Sequence, residues 1–535
     1  MVFTLHRYLF RELFRVFILA AVALTLILSL GSILRPVQEY GVGPRQVIHL
    51  MGYFLPITLT FVLPMSALFA GALVYGRFAG DNELDACRAS GISLLTMIYP
   101  GLALAVMVAV ANLLLSFHVM PAFVHLAENS LKNNAKQILF RNIQRNRYYE
   151  LPSSRTNSRY LIYADQSDLQ HDVLSGVISV KLKDYGIGKI ITSEGAKVSF
   201  KSRGNINQVQ ISAFRAYQMS DVDEGGAESL TLTTEFGSLL GDDIKFKKIG
   251  EMKKIQADLM QFKPIDILAH DTFAQLTTEL LARDINNRIT NSTNSLYELL
   301  GSTISVRFTA GQCSVKDEEE VELSGSVKVI EYDTDSKQVV RILRCERASL
   351  HIEGDKLAPT LTMDIYNARE EGSGTIIGRS IVRGLLLPRA VETIANKFRT
   401  ENGESLQAEM LATPFSGMKQ SLELSILQNT LRRKIQKTLV QIKAETHSRL
   451  VFGIGCVSMI MIGIGLGILK KGGHMLSAFG ASCVPAAVLV VCIMSGKQMT
   501  ENLGSQNVSG VSLMWGGLAF LSLLAVVIYG WLLKN

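Results

Sequence analysis

Apolar residues crowd the two ends of the chain and thin out between them. Positions 47–75 and 92–120 contain no Asp, Glu, Lys or Arg, and either run exceeds the roughly 20 apolar residues that a bilayer-spanning helix needs. An earlier run, 16–34, closes on Arg35-Pro36, and three more follow at 450–469, 475–494 and 511–533. The pattern predicts six membrane-spanning helices in a three-plus-three layout, with a large extramembrane domain, 121–449, inserted between the third and fourth. Pro56, Pro64 and Pro100 lie inside the second and third spans, where a missing backbone donor permits a kink. Trp515 and Trp531 sit near the ends of the sixth span, as interfacial aromatics do.

Between the spans the dominant period is two. Ala196, Val198 and Phe200 alternate with Lys197, Ser199 and Lys201, and Val209, Ile211 and Ala213 alternate with Gln208, Gln210 and Ser212. These are strands with one apolar face. The pattern recurs: Leu174-Ser175-Gly176-Val177-Ile178-Ser179-Val180 returns as Leu323-Ser324-Gly325-Ser326-Val327-Lys328-Val329, and Ala196–Phe200 returns as Ala348–Ile352. Two β units are expected, about 147–236 and 302–386, separated by a helical insert at about 246–300 and followed by an amphipathic helix at about 427–449 that runs into the fourth span. Open, one-sided β units suggest a jelly-roll or an incompletely closed sandwich. Without a gap the two copies align Ile178 with Val327, and place Val198 and Leu350 on the apolar faces. Those four side chains are either packed core or the wall of an acyl-chain groove.

Composition and charge refine the picture. The 535 residues include 48% hydrophobic ones, and a net charge of +7 without a long basic run argues for anionic headgroups and against nucleic acid. The first 15 residues interleave Leu and Phe with Arg7, Arg11 and Arg15, which suits an interfacial helix. The run after them is too long for a signal-peptide core and is read as retained. With the N-terminus inside, that side holds Arg7, Arg11, Arg15, Arg77, Arg88, Lys470, Lys471 and Lys534, against Arg35, Arg45 and Lys497 in the opposite short loops. The positive-inside rule therefore puts both termini and the loop 77–93 in the cytoplasm and the large domain outside it.

That loop carries the densest signal. Asp81 and Asn82 offer caps, Glu83 falls in the first helical turn and Gly91 is a stop, so a small helix is expected at about 81–91. On residues alone it is a capped connector or a docking element. Arg77, Glu83, Arg88-Ala89, Gly91 and Ser93, together with Arg7-Tyr8 and Glu445-x-His447-x-Arg449, closely resemble the LptF/LptG family of lipopolysaccharide export permeases. The resemblance covers both membrane thirds well and the middle loosely, because the middle is larger than the family needs. It implies a coupling helix docked on a separate cytoplasmic ATPase of the ATP-binding-cassette type, with Glu83 as a main contact beside Arg77 and Arg88. It also implies a second permease subunit, identical or homologous, a single-span periplasmic β-jelly-roll partner, and an inner-membrane location. Arg35, at the outer end of the first span, is matched in the family by a basic residue near bound lipid; a snorkelling anchor is the other reading.

Motifs for chemistry are absent from the sequence. There is no GxxxxGK[ST], HExxH, CxxC or GxSxG, so P-loop ATP hydrolysis has to come from another subunit, and no catalytic site, metal or cofactor is expected. Cys313 and Cys345 share the oxidising side, which allows a disulfide that spacing alone cannot establish. The expected function is lipopolysaccharide extraction and delivery to a periplasmic bridge. A non-transporting envelope scaffold and an exporter of another anionic lipid are the alternatives.

Overall fold

A computed structural model describes the chain apart from Met1, 41–43, 134, 152–158, 184–185, 204–205, 221–223, 236–242, 291–295, 318–319, 356–357, 403–404, 415–419, 470–474, 503–506 and Asn535. In order, the elements are α1 (Val2–Tyr40), α2 (Pro44–Gly80), α3 (Glu83–Ala89), α4 (Leu94–Leu114), a π-turn (Leu115–Val119), α5 (Met120–Asn133) and α6 (Ala135–Asn146). Strands β1 (Tyr148–Leu151), β2 (Arg159–Asp168), β3 (Val173–Lys183), β4 (Gly186–Arg203), β5 (Ile206–Ser220) and β6 (Glu224–Glu235) follow. Then come a 3-10 turn (Ile244–Phe246), α7 (Ile249–Ala257), α8 (Lys263–Thr290) and β7 (Tyr297–Leu299), β8 (Ile304–Thr309), β9 (Gln312–Asp317), β10 (Glu320–Asp333), β11 (Val339–Asp355), β12 (Ala358–Glu370) and β13 (Ile376–Leu386). The chain ends with α9 (Arg389–Ala395), α10 (Ala408–Leu411), α11 (Leu422–Leu469), α12 (Met475–Glu501) and α13 (Asn507–Lys534).

Among the described residues, six helices are long and apolar enough to cross a membrane, over Phe3–Ser29, Gly52–Gly80, Leu94–Ser130, Leu422–Leu469, Cys483–Glu501 and Gly510–Lys534. Helices run past the expected span ends. The interfacial segment and first span are one helix that continues through Arg35-Pro36 to Tyr40, and the amphipathic stretch 427–449 is one helix with the fourth span. Proline ends neither α2 nor α4, because each ring costs a helix one backbone donor, which neighbouring helices in a packed bundle can offset.

Contacts divide the chain into two compact units, 1–253 with 436–535, and 254–435. In the first, the helix bundle has a core of Leu13, Leu68, Tyr75, Leu104, Ile460, Ile464, Leu489 and Leu521. Glycines on α11 let backbones meet: a Cβ added at Gly467 would lie 2.7 Å from the Ala72 carbonyl oxygen of α2, and one at Gly463 would lie 3.0 Å from that of Leu68. Without a hydrophobic driving force between helices in lipid, such close approach supplies the van der Waals contact that holds them. The same unit contains the first sheet, a meander in the order β1-β2-β3-β4-β5-β6.

The second unit holds the second sheet, β13-β12-β11-β10-β8-β7 with β9 also on β10, and the helix α8. The first sheet joins only strands that are neighbours in sequence, whereas in the second β10 pairs with both β9 and β8 along one edge, and an isolated bridge from Gly301 to Leu385 links the β7–β8 turn to β13.

Each sheet is bent along a line of left-handed residues. In the first, Gly176 has φ +62° and Arg215 φ +49°; in the second, Gly325 has +81°, Ser326 +53° and Asn367 +48°. The buried side changes parity across that line: Leu174 is buried before Gly176 and Val177 after it, Ala213 before Arg215 and Ala216 after it, Ile365 before Asn367 and Ala368 after it. Strands β4 and β11 change parity at the same line with no described left-handed residue of their own, from Ile191 to Ala196 and from Cys345 to Ala348. The bend thus gives two arms a common interior. In the first sheet that interior is filled: Val198, Ile211, Ala213 and Ile162 share a cluster with Ile138, Leu139, Phe140 and Ile143 of α6.

Candidate functional site

Two places in the first unit carry candidate residues. One is the α3 loop. Helix α3 exposes Glu83, Asp85, Ala86, Arg88 and Ala89 and buries Leu84. The expected cap differs in detail: Asn82 is the N-cap residue but sits at φ 58° with no side-chain cap hydrogen bond. The stop is where the sequence puts it. Gly91 at φ +82° donates to Arg88 O at 2.9 Å, and Ile92 N donates to Cys87 O at 3.1 Å, the two bonds by which a left-handed residue closes a helix end. Ser93 then caps α4, its Oγ accepting from Thr96 N at 3.3 Å.

The loop is held by α1. Arg77 Nη2 bonds Glu12 Oε1 at 3.0 Å, His6 Nε2 lies 2.7 Å from Thr96 O, and the Tyr8 and Phe78 rings lie 6.0 Å apart. Leu9, Leu13, Phe78, Leu84, Leu94 and Met97 share the core beneath. Of the three residues expected to contact an ATPase, Glu83 and Arg88 therefore lie on the exposed face, while Arg77 is turned inward onto α1.

The second place was not singled out from the sequence. A cavity of about 230 Å³ lies among α2, α4, the π-turn, α5, α11 and α12, walled by Ile57, Phe61, Phe452, Val490 and Met494. Its polar edge is a trio of charges. Arg449 Nε bonds Glu445 Oε1 at 3.0 Å, and Lys497 Nζ bonds Glu445 Oε2 at 2.5 Å. Arg449 also donates from Nη1 to Ser116 O at 3.0 Å and Lys247 O at 3.3 Å, and from Nη2 to Lys245 O at 2.7 Å. Its side chain is only 4% exposed, whereas that of Lys497 is 32% exposed. One carboxylate thus faces two cations, leaving one formal positive charge, and Lys497 is the cation with access to the opening. Asn112 Oδ1, buried in the same wall, has no hydrogen-bond partner among the described residues. Apolar walls with a cationic rim match a lipid with an anionic head. The signals were present in Glu445-x-His447-x-Arg449 and Lys497; what brings them together is tertiary.

The remaining sequence-derived residues are scattered. Val198 is fully buried in the first sheet, and Val327 and Leu350 are buried in the second. Ile178 corrects the expectation, since it is 39% exposed and does not share the face of Val198. The left-handed turn at Gly176 puts Val177 inward instead. The Arg35 side chain lies outside the described residues. Cys313 and Cys345 are both free thiols. They cannot bridge as placed: Cys313 pairs with Leu323 on one edge of β10 and Cys345 with Val327 on the other, so two strand spacings, about 9.5 Å, separate strands that a disulfide needs within about 7 Å.

No curated protein matches the chain. The family model of the lipopolysaccharide export system permeases LptF/LptG matches residues 7–260 and 277–534, which takes in the α3 loop, the charged trio and all six apolar helices. The chain belongs to the LptF/LptG family of lipopolysaccharide export permeases.

Proposed function

We propose that this chain is the permease subunit of an ATP-driven exporter that takes lipopolysaccharide from the inner membrane and passes it to a periplasmic β-jelly-roll bridge. In this reading the helices stand three plus three, both termini face the cytoplasm, and the β sheets lie in the periplasm. The partners are a cytoplasmic ATPase of the ATP-binding-cassette type, a second permease and a single-span protein that joins the β edge. The observation that carries it is α3: a short helix buried only on its Leu84 side, braced on three apolar helices, with Glu83 and Arg88 turned outward. A chain without a phosphate loop needs such a handle to receive work from a separate ATPase. The cavity beside Lys497 gives the lipid a place to sit, and Arg35 adds a phosphate contact at the outer end of the first span.

Reconstitution with the ATPase and the partner permease tests this. ATP is expected to drive lipopolysaccharide out of the vesicles, and Glu83→Lys to abolish both ATPase co-purification and release. A buried charge pair broken in this way costs about 2–5 kcal/mol. Full docking and release by Glu83→Lys would remove the coupling assignment; no nucleotide-dependent release by the unaltered complex would favour a scaffold, and release of another anionic lipid in preference would change the cargo. Arg35→Glu should insert normally yet fail in release, and normal release would leave Arg35 an interfacial anchor.

A further inference from the structure

The Arg449 guanidinium does more than pair with Glu445. The π-turn at Leu115–Val119 shifts the backbone ladder by one residue, a distortion that frees a carbonyl and is common where helices serve a purpose. Ser116 supplies that turn's carbonyl to Arg449, and Lys245 and Lys247 supply theirs from the 3-10 turn and its end. Ser116 opens the stretch, the rest of the π-turn and then α5 and α6, that leads from α4 to the first sheet, and Lys245 lies where the chain comes back from that sheet. One planar fork therefore pins the outgoing and returning segments of the chain to α11, beside the cavity. A planar fork with five fixed donors can hold three carbonyls and a carboxylate together; the point charge of Lys cannot.

We propose that Arg449 is a positioning residue for lipid hand-over, fixing the base of the first sheet against the cavity wall while Lys497 remains the cation that faces the lipid. This rests on the export reading above. The two cations of the trio then have separate roles. Loss of Lys497 weakens lipid binding, whereas loss of the Arg449 fork leaves binding intact and misaligns the sheet.

The test uses the full complex in proteoliposomes and three readouts: co-purified lipopolysaccharide by mass spectrometry, ATP-driven release, and the distance distribution between spin labels at exposed Lys197 and Ile454. For Arg449→Lys, which keeps the charge of the trio, bound lipid is expected within twofold of the unaltered complex, release at least tenfold lower, and the distance distribution broadened; Arg449→Gln, which removes that charge, should broaden the distribution as well. Lys497→Gln should show the opposite split, with bound lipid lowered and the distribution narrow, and Glu445→Gln should keep the distribution narrow because the three carbonyl contacts remain. A narrow distribution or normal release in Arg449→Lys overturns the proposal, as does loss of bound lipid in proportion to release. Failure of both Arg449 variants to accumulate while Glu445→Gln accumulates makes Arg449 a folding residue and overturns it too. If the unaltered complex releases no lipid, the export reading fails, yet the distance measurement still decides whether Arg449 holds the sheet.

Discussion

Burial pushes the Cys313 thiol up to about 12 and the Cys345 thiol up to about 11, so both side chains stay protonated at neutral pH. Each contributes stability that is lost as pH rises from about 9 toward those values. Maleimide labelling of both at pH 8 is expected to be slow in the folded protein and fast in denaturant, with no change in gel mobility on reduction. Rapid labelling, or a reduction-sensitive band, would contradict the burial and the unbridged pairing. A shared compartment, which is all the sequence says of these cysteines, does not reveal which strand edge each occupies. The α3 loop shows the same limit at the level of single side chains. Glu83 and Arg88 were readable because a seven-residue helix with one inward Leu leaves most positions exposed. Arg77 looked equivalent to them and is not, since Glu12, 65 positions earlier, takes its guanidinium. Nothing local to the loop announces a partner so far away.

At the scale of elements, long apolar runs located all six helices, because length and hydropathy are properties of the run itself. Their ends were less legible. Arg35-Pro36 and the polar stretch 427–449 read as boundaries, yet α1 and α11 carry helix through both. Polarity marks where a helix meets water, not where its hydrogen bonding stops. The glycines of α11 permit close contact, and for Gly463 and Gly467 the contact is with α2. Gly467→Ala puts a Cβ 2.7 Å from one backbone oxygen and 3.1 Å from the Gly76 nitrogen, neither of which can move aside, so a loss of about 1–3 kcal/mol is expected. Gly516→Ala on α13, with nothing within 4 Å, serves as the control. Thermal unfolding in detergent should separate the two; equal midpoints would mean that α2 and α11 are not in backbone contact.

For the whole molecule, the alternation of apolar and polar residues correctly announced two β units but could not say what fills them. Val198 is an example. A side chain on a one-sided strand is equally suited to a groove or to a core, and only the return of α6 onto the sheet, from a segment with its own helical period, decides what it touches at rest. A photo-crosslinker at Val198 is therefore expected to label the protein's own chain without ATP. Lipid captured there under turnover, with none at exposed Lys197, would show that the interior opens during transport. Equal labelling at both positions would leave the first sheet a packed module.

The bend in the sheets also determines where the chain can change length. In β3 the buried residues flanking the bend are Leu174 and Val177, and in β10 they are Leu323 and Val327, so the second copy carries one residue more at Ser326. Removing it would leave Leu323-Ser324-Gly325-Val327, the spelling already used by Leu174-Ser175-Gly176-Val177. Elsewhere in a strand the loss of one residue turns an entire arm inside out. At the bend the left-handed residues absorb the difference, so two stretches of similar spelling can differ by one residue while both keep an apolar interior.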